Sequence, residues 1–180
     1  KGDQHLITFD DSFSRYLRTN PELFFCKKII ACEGKTEYGI IRAIDLHLSK
    51  EGNGLASKGI VAVNMGGGSK FYDISKKLYE IGYKPCVFAD NDVRELDKNK
   101  DELKDKGIDI FTWDEKKSTE KQIFNDLPWN LVDLLGNSLF EKFEDDLKHS
   151  SKPIFFPQDE EDEKRECYAK EANDDRWFKD

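Results

Sequence analysis

Long apolar stretches are missing from this sequence: no run approaches the ~20 continuous apolar residues that cross a bilayer, and nothing resembles a signal peptide. No membrane association is expected. Cysteine is sparse, with four residues at positions 26, 32, 86 and 167 and no CxxC spacing, which excludes the paired-thiol motifs of zinc ribbons and thioredoxin-like enzymes. Three of the four fall in or beside apolar runs, where a thiol behaves as a small hydrophobe, so a reducing, cytoplasmic setting is expected. His5, His47 and His149 are isolated, with no HxxxH and no neighbouring cysteine, and give a zinc site or a histidine base little support. Positive charge is also short: 29 Lys and Arg face 37 Asp and Glu, a net charge of -8. That balance argues against a domain that holds nucleic acid by phosphate neutralisation alone, although acidic clusters still act on nucleic acid through bound metal. The chain opens at Lys1 and runs into a charged, Phe-rich stretch. It is expected to be an excerpt of a longer protein whose neighbouring segments supply the missing positive charge.

What is present is enough apolar mass to fold. Of 180 residues, 37% are hydrophobic, with 13 Phe and 3 Trp, which suits one compact α/β domain with a small appended piece. Four apolar runs have strand length and β-branched or aromatic content: Phe24 to Cys32, Gly59 to Val63, Pro85 to Ala89 and Ile108 to Trp113, each followed by a Gly or acidic turn. Between them Ile40, Ile41, Ile44 and Leu48 fall on one helical face, as do Phe71, Ile74, Leu78 and Ile81, with Gly82 as a stop. Strands alternating with helices predict a doubly wound α/β fold around a mostly parallel four-stranded sheet. Ser118 to Leu135 reads as helical with an interruption at Leu127-Pro128-Trp129, and Leu139 to Leu147 as a further amphipathic helix. The charge run at 158 to 166 reads as a solvated loop or helix face.

In such sheets ligands gather outside the carboxyl ends of the strands, and carboxylates follow three of the four runs: Glu33 and Glu37, Asp90 and Asp92, and the segment from Asp114 to Glu120. Hard divalent cations such as Mg²⁺ take oxygen ligands. The i, i+2 spacing of Asp90 and Asp92 on an extended chain points both carboxylates the same way, and a crowded carboxylate cluster without a cation would repel itself. A helix cap or first-turn residue is the competing reading for Glu37 and Asp92. The turn Gly66-Gly67-Gly68-Ser69-Lys70 lacks the GxxxxGK[ST] pattern of a nucleotide P-loop. It reads as a tight strand-to-helix turn, contact with a DNA phosphate being the minority alternative.

The string Ile29-Ile30-Ala31-Cys32-Glu33-Gly34-Lys35-Thr36-Glu37 resembles the first motif of Toprim domains, and its Glu-Gly-x-Thr-Glu form resembles the overcoming-lysogenisation-defect (OLD) family of ATPase-nucleases. Val87-Phe88-Ala89-Asp90-Asn91-Asp92 resembles the second motif, a strand ending in Asp-x-Asp. Ser14 to Phe25 is similar to the segment that joins ATPase to Toprim in that family. Ser118-Thr119-Glu120 is similar to its third acidic element, and Arg176-Trp177-Phe178-Lys179 to the place of its active-site lysine. The topoisomerase and primase branches carry a further Asp and Gly after the second motif, where this chain has Val93-Arg94-Glu95. That departure disfavours strand passage and primer synthesis.

The resemblance implies a Toprim-like α/β core at 24–135, preceded by a lead-in segment at 1–23 and followed by a helical, charged extension at 136–180 that carries Lys179. It implies a nuclease acting on DNA with two Mg²⁺ or Mn²⁺ ions. Glu33, Asp90 and Asp92 would hold the first ion, Glu37, Ser118 and Glu120 the second, and Lys179 would serve transition-state charge. An N-terminal ATPase domain, a homo-oligomer formed through it and a part in phage defence follow from the same resemblance. A phosphate- or partner-binding module without chemistry, and a phosphoryl-transfer enzyme acting on RNA or nucleotides, are the rival readings.

Overall fold

The structure is a computed structural model that describes residues 10–91, 97–113, 117–143 and 161–174. The chain divides into two compact units, one made of Lys1–Ala89 with Glu95–Thr112, the other of Asp90–Arg94 with Trp113–Asp180. Among the described residues no helix is long and apolar enough to cross a membrane.

The first unit holds a four-stranded, all-parallel sheet: β1 (Lys28–Cys32), β2 (Ile60–Asn64), β3 (Pro85–Ala89) and β4 (Asp109–Thr112), in the order β2-β1-β3-β4. Helices α1 (Asp11–Thr19), α2 (Lys35–Lys50), α3 (Ser69–Glu80) and α4 (Asp97–Asp105) flank it. This is the α/β, Toprim-like architecture expected from the sequence, with every described strand pair parallel. Asp10 starts α1 as its N-cap, accepting from the Phe13 amide at 2.8 Å, and Phe13 and Leu17 of that helix are buried in the same apolar cluster as Ile29, Val63, Phe71 and Leu78. Gly82, at a φ of 95°, follows α3 where the sequence predicts a stop, since a left-handed residue there ends the helix without steric cost.

Two expectations shift. The first run was expected to be strand from Phe24, but Pro21–Phe25 form a 3-10 turn with Phe24 59% and Phe25 88% exposed, and β1 begins at Lys28. Proline at the start of that turn sets a helical φ, which overrides the β preference of the phenylalanines. The apolar face read on α2 exists, yet Ile44 is 50% exposed and only Thr36 and Glu37 of the helix are buried. The first turn of α2, rather than its length, carries its deepest burial.

The second unit is helical: α5 (Thr119–Asp126), α6 (Trp129–Phe143) and α7 (Glu161–Asp174). The interruption read at Leu127-Pro128-Trp129 separates α5 from α6. The helix read at 139–147 continues α6 as far as Phe143, its remainder lying outside the described residues, as do 158–160 of the charge run. The rest of that run is the first part of α7. A small core joins Phe124, Val132, Tyr168, Ala169 and Ala172. Arg165 of α7 donates to the carbonyls of Phe124 and Leu127, each at 2.7 Å, and so supplies the donors that the C-terminal turn of α5 lacks.

Candidate metal centre

The sheet order places its reversal between β1 and β3: the chain goes from β1 outward to β2, then returns across β1 to β3. Crevices at such a switch point, outside the carboxyl ends of the strands, are where open α/β sheets bind ligands. The register pairs Cys32 with Phe88, and β3 ends one residue later at Ala89. Glu33 is the residue that follows β1 and Asp90 the residue that follows β3, so the two carboxylates expected from the sequence leave neighbouring parallel strands.

The backbone of Glu33 is fixed on both sides. Its amide donates to the Phe88 carbonyl at 2.9 Å, and its carbonyl accepts from the Gly67 amide at 2.7 Å. The second bond comes from the glycine turn after β2, where Gly66, Gly67 and Gly68 all have positive φ and α3 begins at Ser69. The run is the tight strand-to-helix turn that its composition suggests.

Glu37 is buried, 4% exposed, and its Oε2 accepts from the Gly34 amide at 3.0 Å. This is the reach-back half of a capping box, in which a glutamate in the first turn satisfies an amide that the helix leaves open. The cap offered as the competing reading of Glu37 is therefore present. A Cβ on Gly34 would lie 3.2 Å from that oxygen, so a larger residue after Glu33 would push the Glu37 carboxylate back by a few tenths of an ångström.

In the second unit Asn91 ties the segment after β3 to the segment before α5. Its side-chain amide donates to the Trp113 carbonyl at 3.0 Å and its backbone amide to the Lys117 carbonyl at 3.2 Å. The Trp113 indole in turn donates to Thr119 Oγ1 at 2.7 Å, and the Ser118 hydroxyl caps α5 by accepting from the Lys121 amide at 3.3 Å. Asn91 and Trp113 are positioning residues that the sequence reading missed. The only available signal was an amide between two aspartates.

Glu120 sits in the first turn of α5, 1% exposed, and among the described residues neither of its carboxylate oxygens has a hydrogen-bond partner. A buried carboxylate in that condition is costly, and a cation beside it would offset the cost. Oxygen donors of this kind suit Mg²⁺ or Mn²⁺ rather than zinc. Among the described residues no three His, Cys, Asp or Glu side chains gather into a metal-holding group. Asp92 and Lys179 lie outside the described residues. Thiol chemistry is disfavoured beside Glu33, because burial, then the Glu37 and Cys86 charges, push the Cys32 thiol up to about 12. Burial also raises Cys26 and Cys86.

Residues 24–92 match the family model described as the overcoming lysogenization defect protein-like TOPRIM domain. No curated protein and no solved structure matches the chain. Toprim domains generally bind divalent metals such as Mg²⁺, in keeping with the oxygen donors found here. The matched stretch contains β1 with Glu33, the glycine turn and β3 with Asp90, and over these residues the chain is similar to the OLD-like Toprim domain, a metal-binding, nuclease-like module.

Proposed function

We propose that this domain hydrolyses DNA phosphodiester bonds with two Mg²⁺ or Mn²⁺ ions. The observation that carries the reading is the register of β1 against β3, which makes Glu33 and Asp90 the first residues beyond two neighbouring strands at the switch point. Bound divalent metal supplies Lewis acidity at the phosphoryl oxygens and a hydroxide-like water at neutral pH. Glu33, Asp90 and Asp92 hold the first ion. Ser118, Glu120 and Glu37 would hold the second. Asn91 keeps the Asp90 segment beside the Ser118 segment, so the ligands do not have to be ordered afresh for each substrate. Lys179 would neutralise charge that builds in the transition state or protonate the leaving oxygen. The proposed setting is the nuclease part of an ATPase-nuclease in phage defence, with the ATPase domain preceding this one and mediating oligomerisation.

Nicking of supercoiled plasmid by the full-length protein in Mg²⁺ or Mn²⁺ tests the reading. Metal-centred catalysis is worth several kcal/mol at the transition state, so Glu33→Ala and Asp90→Ala should each lower the rate on the order of 10²-fold or more. Undiminished nicking in both variants would sink the assignment. So would plasmid left intact while RNA or nucleotides are cleaved.

A further inference from the structure

The sheet unit carries a groove of about 460 Å³ whose walls come from α1 and α3 and whose floor is the start of the glycine turn. We propose that this groove holds the DNA backbone phosphates next to the bond to be cut, an inference that rests on the nuclease reading above and names where its substrate lies.

Charge is the first argument. The chain carries a net charge of -8, yet the groove is lined by Arg15, Lys70 and Lys77 against the single acid Asp73. Lys77 is engaged by Asp10 and stands 5.7 Å from the centre of the Phe13 ring. Arg15 and Lys70 make no ion pair among the described residues, and both are exposed. Cations held off carboxylates on an acidic protein are available to an anion. One on each wall suits a charged strand passing between the helices.

Shape is the second argument. Tyr16 donates its hydroxyl to Met65 Sδ at 2.8 Å, which closes the groove against the core. Gly66 follows, and a Cβ on Gly66, Gly67 or Gly68 would meet nothing within 4 Å. These glycines are thus set by backbone conformation rather than by crowding, and they leave bare backbone that a phosphate can approach closely. Position is the third argument. Met65 and Gly67 donate to the carbonyls of Cys32 and Glu33 at 2.9 and 2.7 Å, so the groove floor is bonded directly to the end of β1. A strand of phosphates lying there runs up to Glu33.

The test is binding without cleavage. Full-length protein is titrated against a short fluorescent duplex in EDTA over a range of salt concentrations. Removing two phosphate contacts with Arg15→Ala/Lys70→Ala should flatten the slope of log affinity against log salt by about 1.8, at ~0.9 per contact, and weaken low-salt binding on the order of 10-fold or more. Lys50→Ala/Lys58→Ala removes the same charge from residues outside the groove and should bind as the wild type does. Unchanged affinity and slope in the groove variant overturns the proposal, as does an equal loss in the control pair. Glu33→Ala separates the two claims. If the wild-type protein nicks no plasmid, or Glu33→Ala nicks as fast as the wild type, but the groove variant still loses DNA, the groove stands and the nuclease reading falls. If nicking depends on Glu33 and the groove variant binds normally, the nuclease reading stands and the groove falls.

Discussion

The two units solve the problem of holding carboxylates in opposite ways. In the sheet unit, Glu33 is placed by backbone pairing on both sides of a central strand, over a continuous apolar cluster that includes Ile29, Val63, Phe71 and Val87. The site there depends on main-chain geometry and on the larger of the two described apolar clusters. In the helical unit, Glu120 sits on a short helix whose core, among the described residues, is Phe124, Val132, Tyr168, Ala169 and Ala172, with Leu127, Trp129 and Leu135 packed against it. Polar contacts have to finish the work: Arg165 on the end of α5, and Asn91 and Trp113 on its approach. A strand end in a parallel sheet is over-determined, whereas a helix on a small core needs side chains to hold it.

The largest effect that would break this comparison is loss of the sheet core. Phe71 is fully buried in the cluster, and Phe71→Ala should cost about 3–5 kcal/mol, the range for deleting a buried aromatic ring. Chemical denaturation followed by circular dichroism gives the number; a loss under 1 kcal/mol would mean that the cluster does not hold the unit together. A smaller loss is expected from the helical unit's polar clamp. Arg165 is 12% exposed at its side chain and donates to carbonyls of the α5 end. Arg165→Met, which keeps the aliphatic stem, should cost about 1.5–3 kcal/mol, the scale of hydrogen bonds made by a charged group. If the methionine variant melts with the wild type, the apolar core alone suffices there, and the contrast between the units disappears.

The same contrast explains what was legible in the sequence. Pro85–Ala89 was read residue for residue as a strand, because a strand with one face buried and the other half-buried is an unbroken apolar run. Glu33 was legible for the same reason, as the first polar residue after such a run. By contrast α4, with the sequence DKNKDELKD, has one apolar residue, Leu103, and that residue is 0% exposed; a single anchor leaves no period to read. In α7 the charged first half hid a helix that buries Tyr168, Ala169 and Ala172. Alanines and a tyrosine make a weak stripe, sufficient only because α5 presses against α7 and the Phe124 and Tyr168 rings stack with centroids 5.7 Å apart. The Asn91 to Trp113 bond joins residues 22 apart. Nothing local announces it, since each partner is an ordinary loop residue until the sheet brings the ends of β3 and β4 together.

The smallest effect is the most discriminating, because its sign separates two roles for Glu120. As a residue of the first helical turn, its negative charge would favour the N-terminal end of α5, and removing the charge would destabilise the protein whether or not metal is present. As a metal ligand buried without a donor, it costs stability in the metal-free protein and repays that cost when a cation arrives. Glu120→Gln keeps the shape and removes the charge. In EDTA the variant should melt above the wild type, by on the order of 1 kcal/mol, since a neutral amide loses less than a carboxylate when desolvated. Added Mn²⁺ should then raise the wild type more than the variant, and nicking should fall in the variant although it is the more stable protein. Thermal melts with and without Mn²⁺ decide the matter. A variant that melts below the wild type in EDTA and gains equally from the metal would make Glu120 a helix-end residue and remove it from the proposed second ion.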